Sequence, residues 1–296
     1  GDAGGSRGVW GYIRGGMGGL ASSLQQACVD LGVDIKTGVE VKEILVDRNA
    51  ACGVSTAVGE YHSKSVASGI DVNSTLVKML DPKHLPEAML QQVKNIDYSS
   101  ASGKINLALD GLPDFGVDPQ LLRGTIHITP DMQYIEQGYR EAVNGDYSSK
   151  PILEMVIPSN VDDSIAPAGK HIMSIFVQYA PYNLSNGRNW DDVKDSWVET
   201  CLDTLEEFAP DIREKILFTH AMTPLDLERT YGLTGGNIMQ GAMHFHQLGP
   251  SRPLIGWSDY RTPVRNLYIC GAASHPGGGV MGACGRNAAS VILKDL

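Results

Sequence analysis

Long apolar runs are missing from this 296-residue chain. The longest, such as Ile172 to Ala180, fall short of the roughly 20 residues that span a bilayer. No secretory pattern opens the sequence, so a soluble chain is expected, in the cytoplasm or, in a eukaryote, the mitochondrial matrix. Peripheral membrane contact stays open. Cysteine is scarce and scattered: Cys28, Cys52, Cys201, Cys270 and Cys284 form no C-x-x-C, which excludes a disulfide framework or zinc ribbon and suggests small buried residues in a reducing compartment. Positive charge is also short, 24 Lys+Arg against 34 Asp+Glu for a net charge of -10. Affinity for nucleic acid comes largely from counterion release, so no nucleic-acid partner is expected.

Two further absences narrow the chemistry. Gly4-Gly5-Ser6-Arg7-Gly8 spells G-x-S-x-G, but the glycine-broken stretch after it lacks the helix of a nucleophile elbow, so a serine hydrolase is not expected. His244 and His246, read as facing one way on a strand, could join His220 around a metal, but no carboxylate with ligand spacing accompanies them. No metal is expected.

Glycine is abundant, 34 residues, and gathers at the two ends, in Gly1 to Gly19 and Gly271 to Gly285. Each cluster leads into a helix, the setting in which backbone N–H groups become available to phosphates. After the first, Leu24, Ala27, Cys28 and Leu31 recur at helical spacing and Gly32 supplies a stop. Extended segments follow at 33–35 and 39–46, with short strands around 53–58 and 61–66. Helical pieces at 72–80 and 86–94 precede strands with period-2 alternation near Ile105 and Ile126. Strands at 152–157 and 171–179 and a long helix over 190–208 predict a sheet with helices on one side. A short buried strand at 267–270, a glycine turn at 271–279 and a helix of small residues over 283–293 end the chain.

Gly16-Met17-Gly18-Gly19-Leu20-Ala21 matches G-x-G-x-x-[GA], with Glu40 near the offset of a ribose-binding acid. Two readings stand beside each other: a dinucleotide site, as in an NAD-dependent dehydrogenase using Gly16 to Ala21, or a tight turn packed on a sheet. The preceding Trp10-Gly11-Tyr12-Ile13-Arg14 is a poor buried strand, which favours the turn. The stretch from Asn266 to Ala289 is the stronger candidate, since strand, triple-glycine turn and small-residue helix let backbone approach a flat polyanionic cofactor.

That last stretch resembles the terminal flavin-contacting motif of the phytoene desaturase family, within the amine-oxidase-like group of FAD oxidoreductases. Arg7-Gly8-Val9-Trp10-Gly11-Tyr12, Gly15 to Leu20, Tyr179-Ala180-Pro181-Tyr182 and Gly232 to Ile238 are similar to that family too. The resemblance covers nearly the whole chain but maps onto the C-terminal half of the family. It implies a fold of mixed α/β and α+β character: a partial FAD-binding Rossmann-type domain lacking its N-terminal β-α-β unit (15–72 and 260–296), a mixed-sheet substrate domain (73–259), and a lead-in segment (1–14). It implies FAD as cofactor, with Val41 on the strand whose backbone meets the adenine and Gly271, Ala272, Gly278, Gly279, Val280 and Met281 beside the ribityl chain and ring. In the family the helix after Gly16 follows the substrate domain, which sides with the turn reading. Ser68-Gly69-Ile70-Asp71 departs from a Ser-Asn-Ala pattern.

The implied activity is oxidation of a hydrophobic small molecule, with His275, inside the turn, the one candidate for proton transfer or flavin tuning. Two functional classes remain: part of an oxidoreductase, or a cofactor-free binding or assembly module derived from one. A sheet edge left by the absent unit would be covered by homo-oligomerisation or by a separate N-terminal half.

Overall fold

Gly15 and Gly16, at φ +82° and +73°, turn the chain into its first helix in the computed structural model, which describes residues 2–3, 6–7, 11–99 and 102–296. Backbone pairing joins β1 (Asp2–Ala3) to β2 (Ser6–Arg7); the motif residues Gly8, Val9 and Trp10 lie outside the described residues. Helix α1 (Gly16–Asp30) follows. Then come β3 (Val41–Asp47), β4 (Ala50–Thr56), β5 (Gly59–His62), β6 (Val66–Ser68) and α2 (Glu87–Lys94). The middle of the chain forms β7 (Ser102–Leu109), β8 (Ile126–Ile128), α3 (Met132–Val143), β9 (Ile152–Val156), β10 (His171–Gln178) and α4 (Trp190–Glu206). The last third carries α5 (Ile212–Lys215), β11 (Ile216–Met222), α6 (Pro224–Tyr231), β12 (Leu267–Ile269) and α7 (Ala283–Asp295).

Two compact units result, one from the described residues of Gly1–Ile35 and Ala101–Thr223, the other from those of Lys36–Ser100 and Pro224–Leu296. These seams differ from the expected domain bounds: α1 groups with the first unit, and residues 73–99 and 224–259 with the second. No described helix is long and apolar enough to cross a membrane.

The first unit is built on a five-stranded antiparallel sheet in the order β11-β7-β10-β9-β8. Period-2 alternation sends Ile105, Leu107, Leu109, Met173, Ile175, Val177, Leu153 and Met155 to one face, where all are buried. Trp197, Cys201 and Leu205 of α4 recur at helical spacing and are buried with them. Asn189 caps α4 by accepting from the Asp191 N–H at 3.1 Å, which places its start after the Asn186-Gly187 turn. A Cβ on Gly103 would stand 2.5 Å from the Trp197 ring, so the glycine makes room for the indole. That fit leaves the indole Nε1 without a hydrogen-bond partner.

Helix α1 is different, since none of its residues is buried. Met17, Leu24 and Val29 are at least half exposed, and Val33 to Ile35, expected as a strand, is irregular. An extended segment forms a strand only where a neighbour takes its backbone groups, and 33–35 has no such ladder.

In the second unit β3-β4-β5 form an antiparallel meander, and β6 pairs in parallel with β12. The expected strands at 53–58 and 61–66 resolve as β4 and β5, with the reversal at Ala57-Val58. Ile44, Val72, Leu76, Met89, Val264, Leu267 and Ile269 form its core.

Candidate functional site

β6 and β12 end side by side, the first followed by Gly69 and the second by Cys270 and Gly271. A Cβ on Gly271 would come within 2.1 Å of the Gly69 carbonyl, so glycine alone permits this approach. Gln240 clamps the two ends: its amide donates to the Gly69 carbonyl at 3.3 Å and its oxygen accepts from the Ala273 N–H at 3.1 Å.

The turn then runs over the surface. Gly277, Gly279, Val280 and Gly282 all have positive φ, and Gly279, Val280 and Met281 are exposed. Gly282 opens α7 with no side-chain cap and no acidic residue in the first turn. The orphan N–H groups of that helix end, with its positive dipole, are thus left for a ligand. Behind the turn sits Arg252, 2% exposed. Its guanidinium donates to the Ala272 carbonyl through Nε at 3.0 Å and Nη2 at 2.8 Å, and reaches the carbonyls of Met239, Gly241 and Gln247. No carboxylate appears among these partners, and burial lowers the Arg252 pKa from its ordinary value.

His275 faces inward. Its Nδ1 lies 3.1 Å from the Gly249 carbonyl, while its own carbonyl accepts from the Tyr260 hydroxyl at 2.9 Å. The Asn287 amide of α7 donates to that same hydroxyl. This ring braces the turn. Cys284 likewise donates to the Gly277 carbonyl at 3.1 Å, and burial raises the Cys270 thiol pKa; both cysteines serve packing.

Val41 opens β3 on a cleft of about 670 Å³ whose lining includes Val41, Ser68, Gly69, Ile70, Lys78 and Tyr231. The fold therefore brings Val41 and the β6 end onto one cleft, with Gly271 and Ala272 beside Gly69. Gly278, Gly279, Val280 and Met281 lie further along the turn.

Asp71 is the main residue that sequence reasoning passed over. It is 1% exposed and accepts from the Ser74 N–H and hydroxyl at 2.9 and 3.0 Å and from the Thr234 hydroxyl at 3.0 Å. Burial, with the Asp71 charge next, pushes the Tyr98 hydroxyl pKa up, and that hydroxyl accepts from the Asn73 N–H. A carboxylate so satisfied ties the segment after β6 to the 234–237 loop. The Asp71 signal stood in the departure from Ser-Asn-Ala; Gln240 and Arg252, in irregular loops, gave none.

The other motif does not assemble a dinucleotide site among the described residues. Tyr12 to Arg14 is not a strand, α1 has no buried face and 33–35 is not a strand, so the described residues around Gly16 give no β-α-β setting. Gly19 has a steric reason instead, since a Cβ there would meet the Arg14 carbonyl at 2.6 Å. The histidines are also corrected: His244 and His246 sit in a short 3-10 segment, not a strand, with rings stacked 5.6 Å apart. His244 pairs with Asp97 at 3.2 Å, His220 lies on β11 of the other unit, and no metal-holding group occurs among the described residues.

The rat protein named pyridine nucleotide-disulfide oxidoreductase domain-containing protein 2 is 38% identical over 99% of this chain. The chain is thus similar to that protein along nearly its whole length, and more distantly to phytoene desaturases. The 4,4'-diapophytoene desaturase of Staphylococcus aureus is 26% identical over 91% of it. The chain spans about half the length of these curated relatives, 52% and 53%. Among solved structures, an oxidoreductase from Methanosarcina mazei superposes with TM-score 0.62 at 19% identity, over 95% of this chain and 55% of that one. The fold therefore combines, as expected, a partial α/β part with a sheet-based part, the larger sheet being antiparallel and the β6-β12 pair parallel. No family model matches the chain.

Proposed function

We propose that the chain carries the flavin-ring side and the substrate sheet of an FAD-dependent oxidoreductase acting on a hydrophobic molecule. The carrying observation is the Gly69–Gly271 approach feeding an exposed glycine turn and an uncapped α7. An exposed glycine turn at the joined strand ends, leading into a helix N-terminus without a side-chain cap, fits a flat anionic cofactor. Val41 and the backbone of Gly271, Ala272, Gly278, Gly279, Val280 and Met281 are the residues that would hold it. FAD, when bound, supplies the hydride acceptor.

The chain's own residues position and polarise. Gln240 and Arg252 set the course of residues 271–273, and Arg252 adds a buried positive charge behind the turn, where negative charge developing on a reduced ring would be stabilised. His275, held by Gly249, orients the turn and is assigned no proton transfer. The chemistry that relatives' names describe, a desaturase among them, supports oxidation of an apolar molecule.

The visible absorption spectrum of the purified chain, taken after incubation with FAD and gel filtration, tests this reading. A retained flavin band that bleaches with dithionite supports it, and a colourless protein at saturating FAD removes it for the chain as it stands. Exposed α1, with Leu24 and Leu31 62% and 84% accessible, favours a second reading, a binding or assembly module without cofactor. Its sign would be a colourless protein that associates through α1.

A further inference from the structure

The sheet of the first unit has a second face. Antiparallel register sets Met222, Lys104, Phe176, Glu154 and His127 in one row across β11, β7, β10, β9 and β8. His220, Asn106, Ser174 and Val156 form the next row, and Phe218, Ala108 and Ile172 a third. Directly paired side chains stand about 5 Å apart on one face, so these form a continuous surface. On β7 and β10 its residues are half-buried, while their alternates are buried.

One half-buried charge on this face has no ion-pair partner among the described residues. Lys104 Nζ donates to the Ser174 hydroxyl at 2.5 Å, and among the described residues it has no carboxylate partner. Burial lowers its pKa from the ordinary lysine value, the sign of an ammonium held where water screens it poorly. Asn106, in the next row, makes no side-chain hydrogen bond among the described residues, and His220 stands across from it. The nearest acid on the face, Glu154, is two strands from Lys104 and exposed. Around these donors lie Phe176, Ile172, Ala108 and Phe218.

We propose that this face binds an apolar molecule through a single carboxylate, received by Lys104 Nζ, Ser174 Oγ and the Asn106 amide, with the hydrocarbon on Phe176, Ile172 and Ala108. A monoanion balances one ammonium; a dianion would bring a second charge that no other cation in these rows meets. The inference rests on the hydrophobic-substrate reading above and names the substrate's polar end.

Calorimetric titration of the chain with decanoate and with decan-1-ol, without flavin, tests it. Decanoate is expected to bind about tenfold or more tightly than the alcohol, the scale of a charge-assisted hydrogen bond. Lys104→Met should remove that preference while leaving alcohol binding unchanged, with circular dichroism confirming the fold. Ser174→Ala, a smaller change that spares the lysine, should weaken decanoate about threefold or more at unchanged alcohol affinity. Equal affinity for the two ligands, binding of neither, or a preference that survives both substitutions would overturn the proposal. Flavin retention is read separately, so loss of the oxidoreductase reading and loss of this site give different results.

Discussion

Two glycines of the last thirty residues have opposite roles, and substitution separates them. At Gly271 a methyl group would drive into the Gly69 carbonyl, which is backbone next to the β6-β12 ladder and cannot swing aside as a side chain would. Gly271→Ala is expected to cost about 2 to 4 kcal/mol, the range of overpacking with backbone displacement, measured by urea unfolding. At Gly285, inside α7 and exposed, a Cβ meets nothing within 4 Å. Gly285→Ala should stabilise by about 0.5 to 1 kcal/mol through the entropy of the unfolded chain. Arg252 is the third residue of this group. Arg252→Met strands the carbonyls of Ala272, Met239 and Gly241, and a loss of about 2 to 4 kcal/mol follows from several buried acceptors losing a charged donor. Hydrogen exchange at the Ala273 N–H should quicken with it, because that amide depends on a turn held from behind by the guanidinium.

At the scale of elements, α4 and its sheet show what a sequence makes readable. Alternation along β7 and β10 and helical recurrence in α4 arise because one side of each element is buried and the other is not, and both were legible. Trp197→Ala removes the largest side chain between them and should cost about 3 to 5 kcal/mol, read from the thermal or urea midpoint. Elements without that asymmetry stayed hidden. Helix α3 buries only Gly138, because Ser148 packs where a side chain would be, so its apolar Met132, Tyr139 and Val143 point outward and give no core stripe. β11 leaves Leu217 and Phe218 exposed and follows α5 through a bulge between Ile216 and Phe218, which breaks its period. The histidine pair misled for a related reason: His244-Phe245-His246 alternates like a strand, yet Phe245 is 99% exposed and no described strand pairs with that backbone. In the candidate site the strand, turn and helix from Leu267 to Asp295 were legible from composition. The clamp by Gln240 and the anchor by Arg252 were not, because they come from irregular segments that only the folded chain brings to the turn.

At the scale of the whole molecule, the two-stranded β6-β12 sheet carries the last prediction. Val66 N–H donates to the Asn266 carbonyl and the Ser68 carbonyl accepts from the Cys270 N–H, so alternate residues of β6 spend their backbone groups on β12. Ala67 lies between them, exposed, and by that alternation turns its N–H and carbonyl to the other side, where no described strand pairs with it. A short parallel sheet with a bare edge favours a further strand, from a second copy or from a separate chain. Self-association of the chain at micromolar concentration is therefore expected, read by sedimentation velocity across a concentration series. Ala67→Pro removes the outward donor while sparing the ladder to β12, since proline is accepted on an edge whose N–H faces away from the sheet. The substituted chain should sediment as a monomer with an unchanged circular dichroism spectrum. Association that persists unaltered in Ala67→Pro would move the contact elsewhere, and the exposed Leu24 and Leu31 on and after α1 would be the next surface to change.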